Sequence, residues 1–166
     1  MGIDQSLTHT GCCILKYDRF NNKYSILDSF SIETVNNGPV EVRINYIVDK
    51  IHEKIEKYRP GFICIEDLAF KANSNNGRLL AGLFFTLLNR MFLLKIPYSV
   101  VNIKKLKKYA TGNGNASKEE MFEGVSDCDI LILKEKSRIK SIKKFEDIVD
   151  SYFLAKYALD IYLDNK

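Results

Sequence analysis

Apolar and polar residues alternate along GCCILKYD and, after the turn FNN, along KYSILDSFSIE, so residues 11–33 read as a β-hairpin. A very short strand at Met1 to Asp4 precedes it and completes a three-stranded meander. Beyond NNGP the period changes. Val42, Ile44, Ile47, Ile51 and Ile55 recur at helical spacing, which predicts a helix from Val40 to Tyr58 that stops at Arg59-Pro60. GFICIE is a short apolar run suited to a central strand. The helix predicted over 77–94, GRLLAGLFFTLLNRMFLL, is apolar almost all round. One side can cover the sheet, and the other suggests a partner subunit.

IPYSVV reads as another buried strand, NIKKLKKYA as a short basic helix, and ASKEEMFEGV as a helix following a glycine-rich loop. Residues 127–144 carry no clear period and end in KEKSRIKSIKK, a basic stretch expected to be mobile. FEDIVDSYFLAKYALDIYL closes the chain as a helix. Three antiparallel strands followed by helix, strand, helix, strand and helix indicate an α/β fold with a mixed sheet flanked by helices, expected as one domain over residues 1–166.

The last helix raises a chemical question, since Glu146, Asp147 and Asp150 stand near its start. Helix-start acids ordinarily satisfy unpaired N–H groups and the partial positive charge there. At roughly 100° per residue, however, Asp147 falls inside the apolar arc and Asp150 near its edge, while Glu146 lies on the polar side. A carboxylate on a core-facing stripe needs a partner: an arginine, backbone donors or a metal. Asp4 closes the first strand and Glu66 the one that reads as central, and groups beyond strand ends in α/β sheets collect into sites. Four converging acids would repel one another, so either a cation holds them or each is separately a cap or strand-end residue. An all-oxygen set suits Mg²⁺, with Mn²⁺ as substitute, rather than zinc.

Composition narrows the classes. A chain of 166 residues with 46% hydrophobic and 28% charged residues is ordinary for a globular protein. No apolar run is long enough for a bilayer, and MGIDQSLTHT lacks the features of a signal peptide, so a cytoplasmic protein is expected, the host cytoplasm for the phage-type member that the resemblance described below implies. Cys12, Cys13, Cys64 and Cys128 lack metal or disulfide spacing and read as buried free thiols. Net charge is +4, but 95–144 holds twelve Lys or Arg against six acids, the asymmetry of a surface that meets a polyanion. Lys104, Lys107 and Lys108 share one side of their helix, leaving Lys105 as bystander. By charge alone that side, with Lys136, Arg138, Lys140, Lys143 and Lys144, is either a solvated face or a track for polyanion phosphates, and the resemblance described next implies that the phosphates are those of DNA.

In four blocks, in order, the sequence resembles the RuvC family of Holliday-junction resolvases, and a phage-type member in particular. GIDQSLTHTG is similar to the family's opening GIDPGxxxTG, FICIED to its strand ending in glutamate, KKYATGNGNASKEEM to its K-x4-GxGxAxK segment, and EDIVDSYFLAKYAL to its closing helix. The resemblance implies an RNase H-like fold with a five-stranded sheet and a metal-dependent endonuclease that cleaves Holliday junctions, and other branched DNA, by two-metal phosphodiester hydrolysis. It implies a homodimer, through the helix 77–94. Carried over, Asp4, Glu66, Asp147 and Asp150 would be the catalytic and metal-binding acids, and Lys107 and Lys118 the basic active-site pair. Phe70 would take the DNA-contacting aromatic role, shifted by one residue because Ala69 stands at the family's usual position. Gln5 and Ser6 replace the family's proline and glycine after Asp4.

TGNGNASK also has a local reading, since Ser117 and Glu120 form an S-x-x-E capping box and the glycines supply a turn. Actin-like sugar kinases share a similar first turn but need a second domain. A ribonuclease of the same fold, or a non-catalytic branched-DNA binder, are the alternatives to a junction endonuclease.

Overall fold

The computed structural model describes residues 1–35, 38–68 and 75–165. Five strands, β1 (Gly2–Asp4), β2 (His9–Asp18), β3 (Lys23–Glu33), β4 (Ile63–Glu66) and β5 (Tyr98–Val101), form one sheet in the order β3-β2-β1-β4-β5. The meander β1 to β3 is antiparallel, whereas β4 lies parallel to β1 and β5 parallel to β4. Helices α1 (Val40–Tyr58), α2 (Asn75–Leu93), α3 (Ile103–Thr111), α4 (Lys118–Glu123), α5 (Asp127–Ser137) and α6 (Ile142–Asp164) complete the chain.

Strand periodicity divides these helices between two faces. Ile3, Cys12, Ile14, Ile63 and Ile65 point to the side covered by α1 and α2, where Ile47, Ile51, Leu83, Leu87 and Met91 meet them. Cys13, Cys64 and Ile26 point the other way, into a core built with Leu106, Met121, Leu133 and the α6 residues Ile148, Tyr152, Phe153 and Leu154. The inner side of α2 therefore belongs to this chain's own core, while Phe85, Phe92 and Leu93 on its outer side stay exposed.

Residues 127–144 depart from expectation. Residues 127–137, which carry no clear sequence period, form α5, and of the stretch 134–144 expected to be mobile, 134–137 end α5 and 142–144 begin α6, leaving only 138–141 between the two helices. Ser126 caps α5 by accepting from the Asp129 N–H at 3.2 Å, and Arg138 ends it in a left-handed conformation with φ of 56°. The run ILIL hides the helix, because its apolar residues are consecutive rather than spaced on one stripe. Tertiary bonds hold it in place: Asp129 accepts from the hydroxyls of Tyr24 on β3 at 2.9 Å and Tyr152 on α6 at 2.6 Å. On α5 the thiol of Cys128 is exposed, against the expectation of burial, whereas Cys12, Cys13 and Cys64 are buried.

Because α6 begins at Ile142, Glu146 is not a first-turn acid, and the first turn contains none. Among the described residues, no helix is long and apolar enough to cross a membrane.

Candidate active site

Register and pleat bring the acids together. Asp4 lies opposite Gly11 of β2, and Ile3 opposite Ile65 of β4, so the next step along the parallel pair sets Asp4 beside Glu66. Alternation turns both acids to the α6 face, the side to which Cys64 also points. Gln5 ties the strand ends together, donating from Nε2 to the Glu66 carbonyl at 2.8 Å. This residue, where the resembled family has proline, is thus a cross-strand clamp that only the fold makes visible.

Two glycines let α6 descend onto this row. A Cβ on Gly2 would stand 2.1 Å from the Ser151 carbonyl oxygen, and one on Gly11 would stand 2.3 Å from that of Asp147. Both distances are far below contact, so only glycine permits the helix to lie this close. The result places carboxylate oxygens of Asp4, Glu66 and Asp150 within 4.8 Å of one another. Asp147, one turn earlier, stands over Gly11 outside that triad but near enough for its charge to act on Asp4 and Glu66.

The helical-wheel assignment of these two aspartates is reversed. Asp150 is the buried one, 3% exposed, and Asp147 is half-buried. A single-stripe wheel misplaces them because residues 148–155 are buried all round, against the sheet on one side and α3 to α5 on the other.

At such separations two carboxylates repel by at least about 3 kcal/mol at an effective dielectric of about 20. Burial, then repulsion from Glu66, Asp150 and Asp147, drives the Asp4 carboxyl well above its ordinary range, against the pull of Lys118. Burial and the neighbouring Asp150 push Glu66 up to about 7. Burial, opposed by Lys118, leaves Asp147 at about 6. Lys118 forms an ion pair with Asp150. Burial would weaken Lys118 as a cation, but the charge of Asp150 and its hydrogen bond hold it above its ordinary value. Lys118 and the more distant Lys107 do not compensate four acids, and an all-oxygen cluster with such repulsion fits a divalent cation.

Lys118 owes its position to the predicted capping box. Ser117 accepts from the Glu120 N–H at 3.1 Å and its own N–H donates to Glu120 at 2.6 Å, fixing the start of α4. Lys107 reaches the same region differently, since its half-buried ammonium donates to the Ala116 carbonyl at 2.5 Å. It anchors α3 to the loop before α4, and its charge favours ionised Glu66.

Lys104 and Lys108 are exposed on α3, and Lys105 packs over the Tyr157 ring at 5.2 Å, in keeping with a bystander. Lys136, Arg138, Lys140 and Lys143 are exposed. Lys144 is instead paired with Glu33 at 2.7 Å. Phe70 and Ala69 lie outside the described residues.

A mixed sheet of this order, with acids ending its two central parallel strands and a third on the helix laid across them, defines an RNase H-like fold bearing a carboxylate site that can hold a divalent metal. The family model for crossover junction endodeoxyribonuclease RuvC matches residues 1–152, and the chain belongs to that family. It is 31% identical over 126 residues to the RuvC of Brachyspira hyodysenteriae, covering 76% of this chain and 78% of the relative. With the RuvC of Endomicrobium trichonymphae it shares 30% identity over 160 residues, 93% of this chain and 77% of that one. Among solved structures, Thermus thermophilus RuvC in complex with a Holliday junction substrate superposes with a TM-score of 0.70 at 20% identity, covering 93% of this chain and 88% of that one. The fowlpox virus Holliday junction resolvase does so with a TM-score of 0.57 at 14% identity, covering 97% and 96%. At these identities the two structures speak for the fold alone.

Proposed function

We infer that this protein is a structure-selective endodeoxyribonuclease that resolves four-way DNA junctions, and other branched DNA, by metal-dependent phosphodiester hydrolysis, with residues 1–166 acting as one nuclease domain. The observation that carries the reading is the convergence of Asp4, Glu66 and Asp150 within 4.8 Å, with Lys118 paired to Asp150, in a chain of the RuvC family.

Asp4, Glu66 and Asp150 would hold a divalent ion, Mg²⁺ with Mn²⁺ as substitute, and Asp147 adds a ligand toward a second. When bound, such ions supply an activated water and Lewis-acid stabilisation of the leaving 3′ oxygen. The protein supplies the rest. Gln5 holds the two strand ends in register, α6 shields one side of the cluster, and Lys118, beside Asp150, would offer a cation to the reacting phosphate. Lys107 keeps the Lys118 loop in position through Ala116. Lys104, Lys108, Lys140 and Lys143 are free to neutralise duplex phosphates, with Lys144 joining them if it leaves Glu33.

Action on two strands calls for two sites, and a two-fold dimer provides them. The exposed apolar side of α2, including Phe85 and Phe92, is the surface we assign to that contact.

A cleavage panel of four-way junction, fork, flap, linear duplex and RNA–DNA hybrid at fixed salt tests the reading. Cutting of the junction, dependent on Mg²⁺ and far faster than that of linear duplex, is the expected result. Preference for the hybrid would favour the ribonuclease alternative instead.

A further inference from the structure

Beside the acid cluster lies a second cavity, of about 450 Å³, that the chemistry above leaves without a role. Its walls come from α4, the end of α5, the connector 138–141 and the start of α6. Phe122 and Phe145 line it edge to face, with centroids 5.9 Å apart. Lys134 extends over both rings, at 5.7 and 5.9 Å. Phe122 stays 37% exposed and Ile142, at the rim, 83% exposed, although both sit in the most basic part of the chain.

Exposed aromatic and aliphatic groups gain nothing from a phosphate backbone, but they stabilise stacked bases. Glu119, Glu123 and Glu146 line the same space. On a surface that meets a polyanion, carboxylates are repulsive unless they accept hydrogen bonds, and base amino groups are the donors DNA offers. The cavity is also continuous with the site: Lys118 lines it and at the same time pairs with Asp150, and Glu146 adjoins Asp147. Its volume falls in the range of roughly 300–1,000 Å³ that receives small ligands, enough for one purine or pyrimidine.

We propose that this cavity receives an unstacked nucleobase of the strand being cut, within a few nucleotides of the scissile phosphate, and favours one that carries an amino group. The proposal rests on the junction-cleaving reading above. Stacking is already interrupted at a branch point, so withdrawing a base there costs less than in continuous duplex. The Phe122 edge, backed by the buried Phe145, and Ile142 pack against the base, Lys134 and Lys140 neutralise its flanking phosphates, and the glutamates accept from its amino group.

The test uses the whole chain and a synthetic four-way junction whose cut site has been mapped in Mg²⁺. 2-Aminopurine, which brightens when unstacked, is then placed singly at each position flanking the cut, and fluorescence is read on binding in EDTA. One position should brighten several-fold, and Phe122→Ala and Ile142→Asp should each remove the rise while junction binding persists. Ile142→Asp alters a solvent-facing side chain, so it remains informative if Phe122→Ala fails to fold. Glu123→Gln together with Glu119→Gln should flatten any preference for the base at that position. A junction that is cut normally while no position brightens, or a rise that survives Ile142→Asp, overturns the nucleobase pocket and leaves the nuclease reading standing. A chain that cuts no junction overturns both.

Discussion

Asp150 is 3% exposed and its only charged hydrogen-bond partner among the described residues is Lys118. Asn at this position keeps the shape and can still accept from Lys118, but it removes the negative charge a metal requires. Asp150→Asn should therefore lower Mg²⁺-dependent junction cleavage by at least ~100-fold while junction binding in a gel-shift assay stays within a few-fold. Undiminished cleavage would exclude the residue as a ligand. The raised carboxyls give a second expectation. In the metal-free fold Glu66 holds its proton to about 7 and Asp147 to about 6, above the value of about 4 for an unfolded carboxyl. Between these limits the folded state binds more protons than the unfolded, so stability falls as pH rises through this window. The thermal midpoint without metal should drop between about pH 5 and about pH 8, less so in Glu66→Gln. Added Mg²⁺ should raise it most at the alkaline end; equal slopes in the two proteins would show that the cluster does not set this dependence.

At the scale of elements, the approach of α6 to the sheet decides whether a site exists at all. Gly11 is the control point, because a Cβ there would stand 2.3 Å from the Asp147 carbonyl oxygen and 2.7 Å from its carbon. Both are backbone atoms of a helix, so neither can move without shifting the turn that carries Asp147. Gly11→Ala should cost about 1–3 kcal/mol in urea unfolding, as overpacking does. It should weaken metal binding by calorimetry beyond what that loss explains. A variant with unchanged metal affinity would mean that the spacing between β2 and α6 is not what positions the aspartates. The bonds from Asp129 to Tyr24 and Tyr152 serve the same end, holding α5, β3 and α6 as one layer.

For the whole molecule, the question is what covers α2. Leu83 and Leu87 are 0% and 1% exposed inside the chain's own core, so substitutions there test folding rather than association. Phe85 and Phe92 are 62% and 72% exposed and seven residues apart, two turns along one side of the helix. Phe92→Asp should leave the fold intact and convert a dimer to monomers in sedimentation, with loss of paired incision on opposite strands. A dimer of undiminished mass would move the interface off this helix.

Much of this was legible before the fold. Period-2 alternation gives the meander and helical spacing gives α1, because those segments each bury one side against one neighbour; β4 and β5 show only as short apolar runs, and β5, read as buried, proves to be a sheet-edge strand with Tyr98 and Val100 exposed and only Val101 buried. Ser117 and Glu120 announce the α4 cap because a capping box is local. Asp4, Glu66, Asp147 and Asp150 could be named as candidates from strand ends, an off-pattern stripe and the family resemblance. Tertiary structure alone decided the rest. α5 is fixed by distant tyrosines, Gln5 reaches across 61 residues to the Glu66 carbonyl, and Asp150 rather than Asp147 is the buried acid. The physical reason is common to all three: sequence periodicity reports one neighbour at a time, whereas α6 is enclosed on several sides, and what several neighbours impose together exists only once they are packed.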